Sequence, residues 1–361
     1  MVMKHKTRAI GLGSVPIGGG APVSVQSMLN TDPRDVEACI AQIRELARVG
    51  CDIVRVAVPD FEAVEGLPAL VGASPIPVVA DVHFDFKLAL AAIGAGVHGL
   101  RVNPGNLGGR ERGRAVARAA AEAGVAVRIG VNAGSLDRAI LSQFGGATAE
   151  ALAQSALENC ALFEAEGCSR LKVSVKVSDV ATTVQAYRCV AARSDYPLHV
   201  GVTEAGTPTM GRIKSAVAIG ALLLDGIGDT IRVSLTAAPV QEVYAGIQIL
   251  QAVGLRPCRP DIVSCPTCGR TRIDLVPLVE AVEAEVARLR VAGMDIDLGK
   301  VAIMGCEVNG PGEARDADLG IAGGNESGVL FEHGKVVKRI PADQLKEVLI
   351  GEIRKHAVPR G

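Results

Sequence analysis

From residue 77 to residue 103 the chain reads PVVADVHFDFKLALAAIGAGVHGLRVN. Two short runs rich in β-branched residues, PVVADVH and VHGLRVN, flank an alanine-rich segment. Short apolar runs of this kind predict buried strands, and alanine-rich segments between them predict helices. Because neighbouring parallel strands need a helical crossover between them, the stretch predicts one strand–helix–strand unit of a parallel sheet.

The same pattern recurs on both sides of this unit. Six further strand-like runs are PVSVQSM at 22–28, DIVRVAV at 52–58, VAVRIGVN at 125–132, RLKVSVK at 170–176, PLHVGVT at 197–203 and DTIRVSL at 229–235. Eight alternating units predict an α/β fold of the (β/α)8 TIM-barrel type, since eight parallel strands close the sheet. A doubly wound open sheet is the alternative, but it would place a glycine fingerprint after its first strand. The stretch IGLGSVPIGGG at 10–20 lacks that context, and we interpret it as an N-terminal turn or a barrel plug.

Length and composition narrow the class of protein. The chain has 361 residues, which predicts two domains: a substrate-binding barrel over 1–255 and a small α+β domain over 256–361. Its net charge is −1 and it has no basic block, so we expect no nucleic-acid partner. No apolar run reaches the length of a membrane span, and the N-terminal stretch is too rich in Gly and Pro for a signal peptide. We therefore expect a cytoplasmic protein with reduced thiols and no membrane partner.

Polar residues occupy one face of the predicted strands. Ser24 alternates with Val23 and Val25, and the other strands follow the same rule, which gives each strand one polar and one apolar face. The polar face must point into the barrel, and the polar residues lie toward the C-terminal strand ends, where barrel enzymes keep their active sites. The predicted substrate-binding residues are Arg55, Asp81, His83, Arg101, Asn103, Arg128, Asn132, Lys176, Arg232 and Ser234.

The positive charge of these side chains predicts the kind of ligand. Five of these side chains are cationic, and among the strand-end residues only Asp81 and Glu204 supply carboxylates. Buried cations repel one another unless an anion meets them, and Arg matches phosphate oxygens well, so a phosphate or diphosphate is expected. The alternative is a structural network of internal Arg–carboxylate pairs. A lone histidine such as His83 or His199 is equally compatible with a core position.

Three cysteines lie in loops that follow predicted strands of the C-terminal region. Cys265 and Cys268 stand in SCPTCGR at 264–270, and Cys306 stands in MGCEVNGPGEA at 304–314. A strand–helix–strand path brings both loops to one sheet edge, so the three thiolates should converge. Thiolates select zinc, copper(I) or iron–sulfur clusters, and a fourth zinc ligand is not evident, because His333 and His356 lie far along the chain.

An iron–sulfur cluster would need one further ligand, and the same loop offers a carboxylate. Glu313 in NGPGEA is the preferred candidate, because a carboxylate is more easily displaced than a thiolate and would leave one iron open to substrate. Glu307 and Cys258 are the competing fourth ligands. The other cysteines are expected to be inert buried side chains; they are Cys39, Cys51, Cys160, Cys168 and Cys189.

Motifs along almost the whole chain resemble one enzyme family. Beside the two cysteine motifs they are VQSM at 25–28, ADVHF at 80–84, RVNPGN at 101–106, VSVK at 173–176, GVTEAG at 201–206 and GIGDTIRVSL at 226–235. The chain thereby resembles the 4-hydroxy-3-methylbut-2-enyl diphosphate synthase family of isoprenoid biosynthesis, in its short two-domain bacterial form. The resemblance implies a barrel joined to a domain that carries a 4Fe-4S cluster on Cys265, Cys268, Cys306 and Glu313.

The resemblance also implies a reaction and partners. The reaction is the two-electron reductive ring opening and dehydration of 2-C-methyl-D-erythritol 2,4-cyclodiphosphate, with flavodoxin or ferredoxin as electron donor. The implied assembly is a homodimer in which the cluster domain of one subunit closes the barrel of the other. We expect Glu204 to protonate the departing hydroxyl and Glu313 to act at the cluster. Two other interpretations are kept: a zinc-stapled barrel lyase or hydrolase acting on a phosphorylated small molecule, and a non-catalytic phospholigand-binding module.

Overall fold

The computed structural model describes residues 4–257, 260–306 and 316–359. The chain divides into two compact units, Met1–Arg256 and Pro257–Gly361.

The first unit is built on a closed parallel barrel, which confirms the predicted fold class. An N-terminal hairpin of β1 (Ile10–Leu12) and β2 (Val15–Ile17) precedes it. The barrel strands are β3 (Ser24–Met28), β4 (Ile53–Ala57), β5 (Val78–Asp81), β6 (Gly99–Val102), β7 (Ala126–Val131), β8 (Leu171–Val175), β9 (His199–Val200) and β10 (Thr230–Ile231). They pair in chain order from β3 to β8, while β10 pairs with both β3 and β9. A single bridge between Val173 and Leu198 joins β8 to β9 and completes the ring.

Helices surround the barrel and bury one face against it. They are α1 (Val36–Arg48), α2 (Phe61–Ala73), α3 (Phe86–Gly94), α4 (Arg110–Ala123), α5 (Arg138–Phe144), α6 (Ala149–Ala165), α7 (Val180–Arg193), α8 (Pro208–Leu224) and α9 (Pro239–Ala252), with short 3-10 turns at Pro104–Asn106 and Ala133–Ser135. Several start at an aspartate whose carboxylate accepts a backbone N–H in the first turn, such as Asp60 before α2 and Asp179 before α7. The strand-to-helix loops, which carry the polar residues, are therefore fixed at both ends.

The hairpin closes the N-terminal end of the barrel. Ile10, Leu12 and Ile17 are buried and pack with Ile53 and Val79, which are the first inward-facing residues of their strands. The interpretation of residues 10–20 as a barrel plug is therefore confirmed. The plug leaves the opposite, C-terminal end of the barrel for polar chemistry.

The segment between the last barrel strand and the second unit belongs to the barrel. Pro239–Ala252 forms the last barrel helix, α9, and not a link between domains. Gly246 on α9 approaches Val25 of β3, where an added Cβ would lie 3.2 Å from a Val25 methyl. Close packing against the barrel wall, which a sequence pattern does not report, makes this segment part of the barrel.

The second unit is a five-stranded sheet with helices, as the α+β prediction requires. Its strands are β11 (Asp261–Ser264), β13 (Lys300–Met304), β14 (Leu319–Ala322), β15 (Ser327–Glu332) and β16 (Lys335–Pro341), in that order across the sheet. β11, β13 and β14 are parallel, and β14, β15 and β16 are antiparallel. The helices are α10 (Leu275–Val291) and α11 (Leu345–Lys355), and a separate pair joins β12 (Met294–Ile296) to β17 (Ala357–Pro359).

The last helix begins four residues after Pro341, although a proline is common in the first turn of a helix. Pro341 ends strand β16, a 3-10 turn spans Ala342–Gln344, and α11 begins at Leu345. β16 is an edge strand, where a proline costs no ladder hydrogen bond. Within the described ranges, no helix combines the length and the apolar character needed to cross a membrane.

Candidate active site

A cavity of about 230 Å³ opens at the C-terminal ends of the barrel strands. Nine of the ten predicted substrate-binding residues line it: Arg55, Asp81, His83, Arg101, Arg128, Asn132, Lys176, Arg232 and Ser234. The lining also includes Gly130, Val131, Ser174, Val202 and Thr203. The inward-facing parity of each strand therefore brings five cations and one carboxylate to a single space.

The lone carboxylate of the lining is held by its cationic neighbours. Asp81 is 5% exposed, and its oxygens lie 3.0 Å from Nη1 of Arg101, 3.5 Å from Nε of Arg55 and 3.4 Å from Nε2 of His83. Burial alone would raise the pKa of Asp81, but the charge of Arg55, the hydrogen bond with His83 and the charge of Arg101 outweigh it and hold the pKa far below its usual value. Asp81 is thus a permanent anion that orients Arg55 and Arg101.

One carboxylate does not neutralise the other cations. Burial, and then the charges of Arg232 and Arg101, lower the pKa of Arg55 to about 10 against the attraction of Asp81. Burial followed by the charges of Arg55 and Arg101 lowers the pKa of Arg128, and burial followed by Arg128 and Arg232 lowers the pKa of Lys176. Each shift means that the charged form is less stable inside this barrel than it is in water. A bound anion would relieve this repulsion at several side chains at once.

Two predicted site residues lie elsewhere. Asn103 is buried at the end of β6, and it is not among the described residues that line the cavity. Glu204 is exposed in the loop after β9, and the cavity lining ends one residue before it, at Thr203. Its backbone is left-handed, with φ of 51°, which is rare for a residue other than Gly and costs free energy.

The sequence analysis missed a buried carboxylate behind Arg232. Glu242, in the first turn of α9, is 5% exposed, and its oxygens accept from Nε and Nη2 of Arg232 at 3.2 to 3.4 Å. It also accepts from Oγ of Ser27 and from the Leu235 N–H. Glu242 belongs to the buried stripe of α9, and an acid on an apolar helical stripe is the sequence signal that could have revealed it. The alternative of internal Arg–carboxylate pairs therefore holds for Arg232, but it does not account for all five cations of the cavity.

Glu242→Ala is expected to lower the free energy of unfolding by about 2 to 4 kcal/mol, because it leaves Arg232 largely buried without its partner. Urea denaturation would measure the change. Glu111→Ala is the matched control, since Glu111 pairs with Arg114 in an exposed i,i+3 ion pair worth less than about 1 kcal/mol. Equal effects of the two substitutions would contradict a structural pairing of Glu242 with Arg232.

A larger cavity, of about 760 Å³, lies at the other end of the barrel. Its lining comes from segments that precede barrel strands, including His98, Gly124 and Arg170. The cations there already have partners: Arg8 pairs with Glu164 and Asp195, and Arg170 donates to the Gly124 carbonyl at 2.6 Å. Of these two cavities, the C-terminal one has the larger set of cations, with five around one lining carboxylate.

The second unit brings the predicted cysteine loops together. β11 and β13 are parallel neighbours, with Ser264 opposite Ile303, so Cys265 and Cys306 follow adjacent strand ends. The Gly305 N–H donates to Sγ of Cys265 at 3.2 Å, and the Arg272 N–H donates to the Gly305 carbonyl at 2.9 Å. The loop that contains Cys268 is therefore folded against the residue that precedes Cys306.

The cysteines differ in exposure. Cys306 is buried, Cys265 is partly buried and Cys268 is exposed. A hydrogen bond from the Arg270 N–H lowers the pKa of Cys268, while burial raises the pKa of Cys51, Cys160 and Cys168. Among these four cysteines, only Cys268 has an environment that favours the thiolate, the form that binds metals. The predicted fourth ligand, Glu313, and its competitors Glu307 and Cys258 lie outside the described residues.

Within the described ranges, no three His, Cys, Asp or Glu side chains lie close enough to hold one metal ion. A multi-iron cluster does not require such closeness, because each thiolate binds a different iron. Three cysteines in loops that follow neighbouring strands, one with a backbone donor on its sulfur, supply the kind of ligand that iron–sulfur clusters take.

Two family models match the chain, the GcpE TIM-barrel domain over residues 7–247 and the GcpE protein C-terminal domain over residues 261–355. The chain belongs to the GcpE family. It is 54% identical over 353 residues to the Geobacter sulfurreducens 4-hydroxy-3-methylbut-2-en-1-yl diphosphate synthase (flavodoxin), covering 98% of both chains. It is 52% identical to the Corynebacterium jeikeium protein of the same name, covering 99% of this chain and 92% of the other.

Solved structures of low sequence identity also align with part of the chain. A Plasmodium falciparum HPPK-DHPS crystallised with pterin and p-hydroxybenzoate aligns with a TM-score of 0.50 at 11% identity, over 68% of this chain and 48% of that one. At this identity the match supports only the fold.

Proposed function

We propose that this chain is a 4-hydroxy-3-methylbut-2-enyl diphosphate synthase that acts on 2-C-methyl-D-erythritol 2,4-cyclodiphosphate. The reaction takes up two electrons, opens the cyclic diphosphate and releases one hydroxyl group as water. The observation that carries the proposal is a cavity with five cations and one carboxylate at the active-site end of a GcpE barrel. Full-length relatives that share about half of the sequence bear the name of this synthase.

The barrel residues would bind and orient the diphosphate. Arg55, Arg101, Arg128 and Lys176 converge on the cavity from four different strands, so they can meet oxygens on several sides of a compact anion. Asn132 adds a neutral amide at the end of β7. Asp81 and Glu242 fix the positions of Arg101 and Arg232 before substrate enters. Preorganised cations of this kind also favour the negative charge that develops on the diphosphate as the ring opens.

Cys265, Cys268, Cys306 and Glu313 would hold a 4Fe-4S cluster, which would pass on one at a time the two electrons that no side chain can provide. The proton for the departing hydroxyl would come from Glu204. We further propose that flavodoxin delivers the electrons, as the names of the relatives specify for those proteins, and that the protein acts as a homodimer in the cytoplasm. Ferredoxin is the alternative donor.

Anaerobic purification followed by metal analysis tests this function. We expect a coloured protein with about four irons per chain, which turns over the cyclic diphosphate when reduced flavodoxin is supplied. A colourless protein with about one zinc would select the zinc-stapled lyase or hydrolase instead. A protein that binds the cyclic diphosphate but takes up no electrons would select the non-catalytic binding module.

A further inference from the structure

A second layer of polar side chains lies inside the barrel, below the cavity and nearer to the N-terminal hairpin. Lys172 on β8 shares the inward face with Ser174 and Lys176, and it precedes them by two and four residues. It stands opposite Arg128 of β7 in the strand register. Ser174 and Lys176 line the cavity, whereas Lys172 is 1% exposed and is not part of the lining.

The amine of Lys172 is buried without an acceptor. Among the described residues its Nζ has no hydrogen-bond partner and forms no ion pair. Other buried polar atoms of this layer also have no partner in the described chain: Ser24 Oγ, both amide atoms of Gln26, Nε2 of His199, and Nε and Nη1 of Arg128. A buried ammonium group with neither a carboxylate nor an acceptor is strongly disfavoured.

The groups that face Lys172 do not supply a negative charge. Arg128 on β7 and Arg55 on β4 are cationic side chains, and Lys176 on its own strand is a second amine, whose pKa is lowered by burial and by the charges of Arg128 and Arg232. His199 on β9 donates to or accepts from Thr230 of β10 at 2.5 Å, while burial, and then the charges of Lys176 and Arg128, lower its pKa. Ser24 and Gln26 on β3 are neutral.

The two buried carboxylates nearby are already engaged by arginines. Asp81 of β5 pairs with Arg55 and Arg101, and Glu242 of α9 pairs with Arg232. Burial, followed by the charges of Arg128 and Arg55, lowers the pKa of Lys172 to about 7. The proton on this amine is therefore held weakly as long as the cavity above it contains no anion.

We propose that Lys172 is a neutral amine in the ligand-free barrel and that it binds one proton from solvent when a phosphate-type anion enters the cavity above it. The proton adds to the lone pair of the amine and gives an ammonium group, whose charge the incoming anion offsets. Lys172 would thus be a positioning residue that tunes the charge of the cavity without touching the ligand. The inference rests on the proposed anionic substrate of this cavity.

Proton uptake on anion binding determines how the anion affinity changes with pH. Because the bound state carries the additional proton, anion affinity should fall as pH rises above about 7, by up to about tenfold per pH unit. Fixed arginines alone would leave the affinity constant over that range. The pH dependence therefore separates a titrating cavity from a permanently charged one.

Calorimetric titration of the anaerobically prepared holoenzyme with sodium sulfate is the test. Sulfate is a dianion that does not titrate near neutral pH, so at about pH 8 the proton count reports on groups of the protein. Titration in Tris and in HEPES, which differ in protonation enthalpy, yields the number of protons bound per sulfate. We expect the wild-type protein to bind about 0.5 to 1 proton more per sulfate than Lys172→Met does.

Lys176→Met is the matched control, because Lys176 lies on the same strand face but lines the cavity. It should weaken sulfate binding and keep about 0.5 to 1 proton of uptake, the share that belongs to Lys172. Sulfate binding to the wild type without proton uptake would overturn the inference, and so would uptake in Lys172→Met equal to that of the wild type or uptake that disappears in Lys176→Met. The wild type and Lys176→Met both keep Lys172, so absence of uptake in either would overturn the inference even if methionine at 172 prevents folding. Failure to turn over the cyclic diphosphate would contradict the proposed function and leave this titration unaffected.

Discussion

Cys306→Ser is expected to remove most of the iron from the anaerobically purified protein and to lower turnover by at least about a thousandfold. A serine hydroxyl is a far weaker iron ligand than a thiolate, and no other cysteine is near enough in sequence to replace it. Cys306 follows β13, next to the Gly305 N–H that donates to Sγ of Cys265. Loss of this one ligand should therefore disturb the site that Cys265 shares.

The substitution separates a metal role from a packing role. Serine is close to cysteine in size, so removing a purely structural thiol at this buried position should cost only about 1 to 2 kcal/mol of folding free energy. Iron per chain, visible absorption and turnover are the measurements, and circular dichroism reports the fold. Cys189→Ser is the control, because Cys189 is a partly buried cysteine on α7 in the barrel unit.

Full iron content in Cys306→Ser would contradict the proposed cluster, whatever happened to turnover. Loss of iron from Cys189→Ser to the same extent would mean that the effect is not specific to the C-terminal loops. We expect iron to be lost from Cys306→Ser and kept in Cys189→Ser. This pattern would show that the metal binds at the loops that follow β11 and β13.

The barrel could be predicted because its signal is local and repeated. Each of the eight apolar runs contains an observed strand, since β-branched runs between alanine-rich helices leave few alternatives. Strand length was less predictable: the run at 197–203 yields only His199–Val200. An added Cβ at Gly201 would lie 2.3 Å from the Arg232 carbonyl oxygen, so the chain needs glycine there because of a contact that only the folded barrel contains.

Most residues that line the cavity could also be predicted, because their signal is local as well. Side-chain parity along a strand is fixed, so polar residues two apart had to meet inside the barrel. Side-chain parity does not show which residues of different helices and strands form pairs. Glu242 meets Arg232 only because α9 packs beside β3, and Asn103 leaves the lining because the chain turns into the Pro104–Asn106 segment.

Glu204→Gln is expected to lower the turnover number by about a hundredfold to ten-thousandfold, with iron content and sulfate binding unchanged. The substitution keeps the shape of the side chain and removes its acidic proton. Glu204 follows Val202 and Thr203, which line the cavity, so a small movement of its loop would bring the carboxyl group to a bound substrate. Turnover with excess reductant and sulfate calorimetry are the measurements.

The backbone of Glu204 provides a second, independent test. A left-handed conformation at a residue other than Gly costs about 1 kcal/mol, and such strain persists where a particular side chain is needed. Glu204→Gly should relieve that strain, so its free energy of unfolding should be unchanged or up to about 1 kcal/mol higher, while turnover falls as far as in Glu204→Gln. Glu122→Gln, at an exposed position on α4, is the control and should keep full activity. If Glu204 serves only the shape of the loop, the glycine variant keeps its turnover, and another group must then protonate the departing hydroxyl.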